Sequence, residues 1–187
     1  MTLSIRVATR DDLATLAPLV EAAIDELQKG YLDAEQIAAS HTIMGIDTQL
    51  VDDGTYFVVE CDGQIAGCGG WSRRATLYGG DQTGGRDNAL LDPGTDPARV
   101  RAMYTHPAFT RRGVGRLILA TCESAAAAEG FTRLALAATL SGLALYESFG
   151  FEAIERSEDL SSGTSIPLVH MAKAIDDGAE RAAQDTV

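Results

Sequence analysis

Apolar and polar residues change their spacing several times along the chain, and each change predicts a new element. Strict alternation or a short β-rich run is typical of a strand, whereas apolar residues three and four apart are typical of a helix. The first pattern predicts seven strands, over residues 4–8, 55–61, 64–71, 98–105, 134–137, 151–156 and 165–172. The second predicts four helices, over residues 13–27, 34–40, 114–125 and 140–149.

Turn residues separate these elements. Asp62-Gly63 lies between two strand patterns and is a strong hairpin signal, and Gly30 and Gly130 end the two longest helices. Residues 73–97 contain two Gly-Gly pairs and a Pro-Gly pair, with almost no periodic apolar pattern. A loop of this length in a compact domain is usually functional or disordered, and its role stays open at this point.

The order of the predicted elements is β-α-α-β-β-loop-β-α-β-α-β-β. Strands that follow one another and strands joined by a helical crossover both occur, so we expect an α/β fold with a mixed sheet and helices on its faces. The length of 187 residues predicts one domain, over residues 1–175. Residues 176–187 are polar and acidic and are expected to form a frayed tail.

Charge and cysteine content exclude several classes of protein. Fifteen Lys and Arg against 27 Asp and Glu give a net charge of −12, which disfavours nucleic acid or an anionic membrane as a partner. The three cysteines lack the spacing of a zinc site or a disulfide framework, so no metal is predicted. No apolar run is long enough to span a membrane, and no leader is visible, so we expect a cytoplasmic protein.

The most informative segment is Thr110-Arg111-Arg112-Gly113-Val114-Gly115-Arg116, where a strand pattern gives way to the long helix. Backbone N–H groups at a helix N-terminus, together with guanidinium charge, form a site for phosphate. No Lys-Ser or Lys-Thr pair follows Gly115, which disfavours the nucleotide-binding P-loop. The dinucleotide motif is disfavoured as well, because the loop has no third glycine and the region about 20 positions on, residues 134–137, is apolar instead of acidic. Two interpretations remain, a cradle for a pyrophosphate or glycines needed only for tight packing.

The strand before this segment is the second feature. Met103-Tyr104-Thr105 ends beside the glycine turn, so a ligand with its phosphates on the turn would lie along the strand. Amide groups of such a ligand could pair with the strand's free N–H and C=O groups, as an added strand does. An ordinary core strand is the alternative, and both interpretations can hold together.

With these residues the chain resembles the GNAT superfamily of acyl-CoA-dependent N-acyltransferases, over the whole order of elements. The family's Gln/Arg-x-x-Gly-x-Gly/Ala loop matches Gly113 and Gly115, with Thr110 at the first position. The resemblance implies a mixed, mostly antiparallel sheet of about seven strands. It also implies that residues 111–116 hold the diphosphate of acetyl-CoA, while residues 103–105 pair with its pantetheine arm and polarise the thioester carbonyl.

A second motif supports the same resemblance. Thr139 to Phe151 is similar to the family's Asn-x-x-Ala-x-x-x-Tyr-x-x-x-Gly-Phe segment, with Thr139 in place of Asn and Gly142 in place of Ala. Tyr146 matches the family tyrosine that protonates the departing thiolate. A phenol titrates near ~10 and a thiol near ~8.5, so a tyrosine can donate a proton at neutral pH. The alternative is a tyrosine that only packs at the end of its helix.

The general base is not identified by the sequence. Glu60, His106 and His170 are candidates, and none has a partner that can be recognised from sequence. Residues that are candidates for an acceptor pocket are Tyr31, Glu35, Asp81, Arg86, Asp87 and Asp92.

The resemblance implies an N-acetyltransferase in which a primary amine, on a small molecule or a peptide, attacks acetyl-CoA directly. Family members are often dimers, so a homodimer is also implied. Two rival functions remain, a non-catalytic module that senses acyl-CoA and a nucleotide-binding α/β domain.

Overall fold

The computed structural model describes residues 2–175. The tail predicted over residues 176–187 lies outside the described residues. Within them the strands are β1 (Leu3–Val7), β2 (Tyr56–Cys61), β3 (Gln64–Ser72), β4 (Ala98–Thr105), β5 (Arg133–Ala138), β6 (Glu152–Asp159) and β7 (Ile166–Ala174). The α-helices are α1 (Leu13–Leu27), α2 (Ala34–Ser40), α3 (Thr48–Asp52), α4 (Val114–Ala128) and α5 (Leu143–Ser148).

All seven strands join one sheet in the order β1-β2-β3-β4-β5-β7-β6. Every neighbouring pair is antiparallel except β4 and β5, which are parallel and are linked by the α4 crossover. The predicted fold class, a mixed and mostly antiparallel seven-stranded sheet flanked by helices, is confirmed.

Helices cover both faces of the sheet, which explains why β2 is a continuous apolar run. Phe57 and Val59 pack into a core with α4, while Tyr56 and Val58 pack into a second core with α1 and α3. Successive side chains of a strand point to opposite faces, so both sets of residues can be buried at once. Each core therefore needs its own helices: α4 covers one face of the sheet, and α1 and α3 cover the other.

Glycines in β3 let α4 lie close to the sheet. A Cβ atom at Gly69 would lie 2.9 Å from Cγ2 of Ile118 and 2.5 Å from the sulfur of Met103, and one at Gly67 would lie 2.6 Å from Cγ1 of Val114. Real Cβ atoms do not approach neighbours so closely, because packed interiors leave no such overlap. The glycines of β3 therefore set the height of α4 above the sheet.

One helix was not expected from the sequence. Helix α3 is short, and a single turn carries too few apolar positions to show a helical period. It begins at the capping residue Asp47, whose Oδ1 accepts a hydrogen bond from the backbone N–H of Gln49 at 3.2 Å. The predicted loop over residues 73–97 is present and has no helix or strand beyond an isolated bridge between Arg74 and Leu90.

A buried ion network anchors this loop. Asp47 is fully buried, and its two carboxylate oxygens lie 2.6 Å from Nη2 of Arg86 and 2.8 Å from Nη2 of Arg101. Arg101 belongs to β4 and also donates a 2.6 Å hydrogen bond to the carbonyl of Gly79 in the loop. Burial lowers the pKa of Arg101, although the negative charge of Asp47 opposes the shift. The carboxylate of Asp47 thus joins β4, α3 and the long loop.

We predict that Asp47→Ala destabilises the fold by about 3 kcal/mol or more, because it leaves Arg101 buried without its counter-ion. Asp52→Ala is the matched control, since Asp52 pairs with Arg10 at 2.7 Å on the surface, where the two side chains are 43% and 65% exposed. An exposed pair of this kind contributes less than about 1 kcal/mol. Urea unfolding measures both changes, and equal losses for the two variants would contradict the prediction.

Candidate active site

The only parallel pair in the sheet separates after two residues. β4 and β5 are in register at Ala98 with Leu134 and at Arg99 with Ala135, and no pairing continues beyond these positions among the described residues. From Val100 onward, the edge of β4 that faces β5 has no neighbouring strand. Backbone N–H and C=O groups along such an edge are free to bind an extended ligand.

A cavity of about 80 Å³ lies where the two strands part, and we call it the central cavity. Its walls come from residues 100–104 of β4, from Ala137 and Thr139 at the end of β5, and from Tyr146 of α5. Residues 43–45 and 77–79 close it from the side of α2 and the long loop. Elements from both halves of the domain therefore meet here.

A β-bulge bends β4 beside this cavity. The register between β3 and β4 shifts between Cys68 and Gly70, and Ala102 has a φ of +50°. A left-handed conformation costs a non-glycine residue about 1–2 kcal/mol, so the surrounding structure must hold it in place. The carbonyl of Ala102 accepts a 3.0 Å hydrogen bond from the hydroxyl of Tyr56, which is buried beneath the strand.

The predicted pantetheine-binding residues lie at and after this bulge. Met103 and Tyr104 line the central cavity, and Thr105 follows at the end of β4, opposite Gly67. The hydroxyl of Tyr104 accepts a 2.8 Å hydrogen bond from the N–H of Gly45, and burial raises its pKa. The Tyr104 side chain thus fastens the α2–α3 loop to β4, and only its backbone is available for a ligand.

The glycine-arginine loop leads into α4 and is exposed. Arg111 has a φ of +61° and Gly113 a φ of +85°, and both are exposed together with Arg112 and Arg116. The first helical hydrogen bond at this end runs from Leu117 N–H to the carbonyl of Gly113. The amides of the first helical turn therefore have no acceptor within the helix. Two left-handed residues and a helix N-terminus can together surround an anion.

The two glycines of this loop have different structural reasons. At Gly113 a Cβ would meet nothing closer than Leu3 at 3.9 Å, so space is not the reason for glycine there. The reason is its left-handed backbone, which other residues rarely adopt. At Gly115 a Cβ would lie 2.6 Å from Cδ2 of Leu145, so this glycine lets α5 approach α4. The packing interpretation therefore holds for Gly115, and it is compatible with an anion site. The side chain of Val114 is buried in the core, so only its backbone faces outward.

Tyr146 is 9% exposed and forms part of the wall of the central cavity. Its ring packs edge-on against Phe151, with the centroids 5.9 Å apart. Gly142 makes room for this ring, because a Cβ there would lie 2.8 Å from Cε2 of the tyrosine. Burial raises the pKa of the Tyr146 hydroxyl, so it stays protonated at neutral pH and can donate a proton.

The three candidate bases have other partners. Glu60 accepts a 3.0 Å hydrogen bond from Nε of Arg6, and Nδ1 of His106 accepts one from Ala108 N–H at 3.1 Å. His170 lies 3.0 Å from the hydroxyl of Ser157. None of the three lines the central cavity or the larger cavity described next.

A larger cavity of about 630 Å³ lies between the long loop and the end of β6, and we call it the outer cavity. Of the residues proposed for an acceptor pocket, Arg86 and Asp87 line it. Asp81 instead binds Arg86 and the N–H of Thr48. The remaining three lie elsewhere: Tyr31 is an exposed surface residue, Glu35 binds Thr164, and Asp92 accepts a hydrogen bond from Gly94 N–H.

Three site residues were missed in the sequence. Tyr78 lines both cavities, Arg101 lines the central one and Asp159 the outer one. Their distinguishing contacts join positions far apart in the chain, so no local motif marks them. The two arginines of β4, Arg99 and Arg101, within an otherwise largely apolar strand are the one signal that could have indicated Arg101.

Thiol and metal chemistry have no support near the cavities. All three cysteines are buried and free, and none lines either cavity. Burial raises the pKa of Cys68 to about 12 and raises that of Cys122 as well. No cluster of three or more His, Cys, Asp or Glu residues suited to a metal occurs within residues 2–175.

Over the same residues, no helix has the length and apolar character needed to cross a membrane.

Solved structures with the same fold cover nearly the whole chain. A GCN5-related N-acetyltransferase from Rhodopseudomonas palustris aligns with a TM-score of 0.69 at 20% identity, over 93% of this chain and 96% of that one. The PaiA N-acetyltransferase of Thermoplasma acidophilum, in complex with coenzyme A, gives 0.64 at 16% identity, over 93% and 99%. YncA of Salmonella typhimurium, a putative acetyltransferase with its cofactor acetyl-CoA, gives 0.62 at 17% identity, over 96% and 97%.

At these identities the structures show a shared fold. No curated protein matches the sequence. The acetyltransferase (GNAT) domain family, however, matches residues 52–153, which is more than half of the chain and includes β4, the glycine-arginine loop and Tyr146. The resemblance seen in the sequence is confirmed, and the chain belongs to the GNAT family of acetyltransferase domains.

Proposed function

We propose that the protein transfers an acetyl group from acetyl-CoA to a primary amine by direct attack within a ternary complex. The observation that carries the proposal is the central cavity. Its lining includes both the residues along the unpaired edge of β4 and Tyr146. Acyl transfer from a thioester is helped by a proton donor for the leaving thiolate and by hydrogen-bond donors for the carbonyl oxygen, and this cavity holds candidates for both.

The residues present fit coenzyme A. The exposed arginines 111, 112 and 116 and the amides of the first turn of α4 would hold its diphosphate. Strand β4 runs into this loop within a few residues, so its free edge would hold the pantetheine arm. The relatives from Thermoplasma acidophilum and Salmonella typhimurium are described with coenzyme A and acetyl-CoA, which supports the same cofactor here. When bound, acetyl-CoA supplies the acetyl group as an activated thioester.

Two groups of this chain would stabilise the charges that develop on the carbonyl oxygen and on the leaving sulfur. Backbone N–H groups near Tyr104, after the bulge, would donate hydrogen bonds to the carbonyl oxygen as negative charge develops on it. The hydroxyl of Tyr146 would give its proton to the sulfur as the C–S bond breaks, and the proton that the acylated nitrogen loses, passed through solvent, would restore the hydroxyl. The bulge supports the first role because it fixes the backbone of β4 in a conformation that an isolated strand would not adopt.

The chemistry of the cysteines supports direct attack without a covalent enzyme intermediate. A cysteine reacts as its thiolate, and a buried thiol with a raised pKa is almost entirely protonated at neutral pH. Cys68 in β3 and Cys122 in α4 are in this state, and Cys61 is buried at the end of β2. None of the three reaches the central cavity.

One observation favours the rival function of a non-catalytic acyl-CoA sensor. Glu60, His106 and His170, the three bases considered from the sequence, are engaged elsewhere. Release of free thiol in the presence of amines distinguishes the enzyme from the sensor. The cytoplasmic location and the homodimer remain predictions from the sequence.

We predict that acetyl-CoA at a hundred times its Kd raises the melting temperature by about 5–10 °C. Binding at this level adds about 2.7 kcal/mol, and each kcal/mol shifts Tm by about 2–4 °C for a domain of this size. Arg111→Glu should weaken binding at least tenfold, whereas Arg156→Glu, the same charge change on exposed β6, should not. Differential scanning fluorimetry measures both. A shift with NAD or ATP but none with acetyl-CoA would favour the nucleotide-binding rival.

We predict that Tyr146→Phe lowers kcat by about 100-fold or more and leaves the Kd of acetyl-CoA within about twofold. The size follows from the usual contribution of a general acid, and the ring itself is retained. Tyr31→Phe is the control, because Tyr31 is 56% exposed and lies outside both cavities. A thiol-release assay gives kcat, and calorimetry gives Kd. If turnover were unchanged in Tyr146→Phe, this hydroxyl would not be the proton donor.

A further inference from the structure

Tyr78 and Leu77 are the two residues that line both the central and the outer cavity. The two cavities therefore meet at this point of the long loop. Tyr146 lines only the central cavity. A molecule that arrives through the outer cavity meets Tyr78 before it meets Tyr146.

The hydroxyl of Tyr78 is held by a carboxylate. It donates a 2.9 Å hydrogen bond to Oδ2 of Asp159, at the end of β6. The second oxygen, Oδ1, accepts a 2.9 Å hydrogen bond from the N–H of Ser161. These donors help to lower the pKa of Asp159 against the opposing effect of burial, so the carboxylate is charged at neutral pH. Because Tyr78 donates its only proton to Asp159, its remaining lone pairs can accept hydrogen bonds.

Apolar packing fixes the position of this pair. Tyr78 packs against a small core formed by Ile43, Ile166 and Leu168, each no more than 3% exposed. On the other side, the carbonyl of Gly79, the next residue, is bonded to Arg101 of β4. The pair is thus set in place before any ligand binds, which lowers the entropy lost on binding.

The charge of the outer cavity favours a cation. Its charged lining residues are Arg86, Asp87 and Asp159. Arg86 lies 2.6 Å from buried Asp47 and 3.2 Å from Asp81, and Asp47 also lies 2.8 Å from buried Arg101, so the charges of these two arginines and two aspartates cancel. The carboxylates of Asp87 and Asp159 have no cationic partner within 4 Å among the described residues, so the cavity presents net negative charge. Charge of one sign in a recess attracts ligands of the opposite sign.

We infer that the acceptor enters through the outer cavity and that its reacting amine docks, as an ammonium, on the hydroxyl of Tyr78 and the carboxylate of Asp159. The docked ammonium loses one proton to solvent before its nitrogen lone pair attacks the thioester carbonyl. This inference rests on the proposed function, since it assigns the second substrate of the same reaction. The acceptor class is an aliphatic amine that is charged at neutral pH, and a neutral aromatic amine is a poor substrate. Tyr78 and Asp159 contact the substrate, whereas Asp47 and Arg101 position the loop that carries Tyr78.

The test compares the kinetics of the full-length protein and its variants on a defined panel. The amines are n-butylamine, benzylamine, 1,4-diaminobutane, a tripeptide with a free N-terminus, and aniline as the neutral comparison. For the best aliphatic amine, Asp159→Asn and Tyr78→Phe should each raise KM about tenfold or more. The KM of acetyl-CoA should stay within about twofold, and Asp159→Asn should not raise the KM of aniline where it is a substrate.

Matched controls separate docking from a merely structural effect. Asp11→Asn changes the net charge equally at an exposed residue outside both cavities, and Tyr31→Phe removes an exposed hydroxyl. Asp159→Glu keeps the charge and should recover most of the loss in kcat/KM. If Tyr78→Phe folds poorly, its melting temperature in the presence of acetyl-CoA will be lower than that of the wild type. The Asp159 variants then decide whether the acceptor docks at this pair.

The outcomes distinguish this inference from the proposed function. If the wild type acetylates aliphatic amines but the Asp159 and Tyr78 variants retain its KM, the acceptor docks elsewhere and the inference is overturned while the function stands. Equal preference of the wild type for aniline and benzylamine would also overturn it. If no amine releases thiol although acetyl-CoA binds, the proposed function fails and the inference fails with it.

Discussion

The site depends on the brief pairing between β4 and β5. Two parallel strands that stayed in register would fill the centre of the sheet and leave no free backbone. Here the pairing ends after Arg99 and Ala135, and the remaining length of β4 keeps one edge without a partner. Unpaired backbone groups inside a protein are costly, so such a gap is stable only where a ligand or solvent can satisfy them. The central cavity lies at this gap.

Side chains of β4 fasten the loops that form the other walls of the central cavity. Arg101 reaches the long loop and Asp47, and Tyr104 reaches Gly45. One strand therefore provides free backbone toward its missing neighbour and fastens two loops with its side chains. The loops bring Tyr78 to the cavity, and α5 brings Tyr146. A single stretch of five residues, 100–104, thus forms one wall of the central cavity and fastens the loops that form the others.

The elements were predictable because their signals are local. The alternation in β1 and the apolar spacing in α1 and α4 are written within short windows, and both motifs of the resemblance are continuous segments. The cavity lining is different in kind. Tyr78 and Asp159 are 81 positions apart, and Arg101 and Asp47 are brought together by strand pairing and by a one-turn helix that has no period to detect. These pairs follow from tertiary packing, which the sequence does not display locally.

Gly69 carries a consequence for how this protein can change. The space where its side chain would stand is shared by Met103 at the bulge and by Ile118 of α4. A single added carbon would push against both at once, so the shape of β4 at the bulge and the position of α4 are mechanically coupled through one residue. A larger residue at position 69 would therefore disturb both the bulged strand and the helix packed on it.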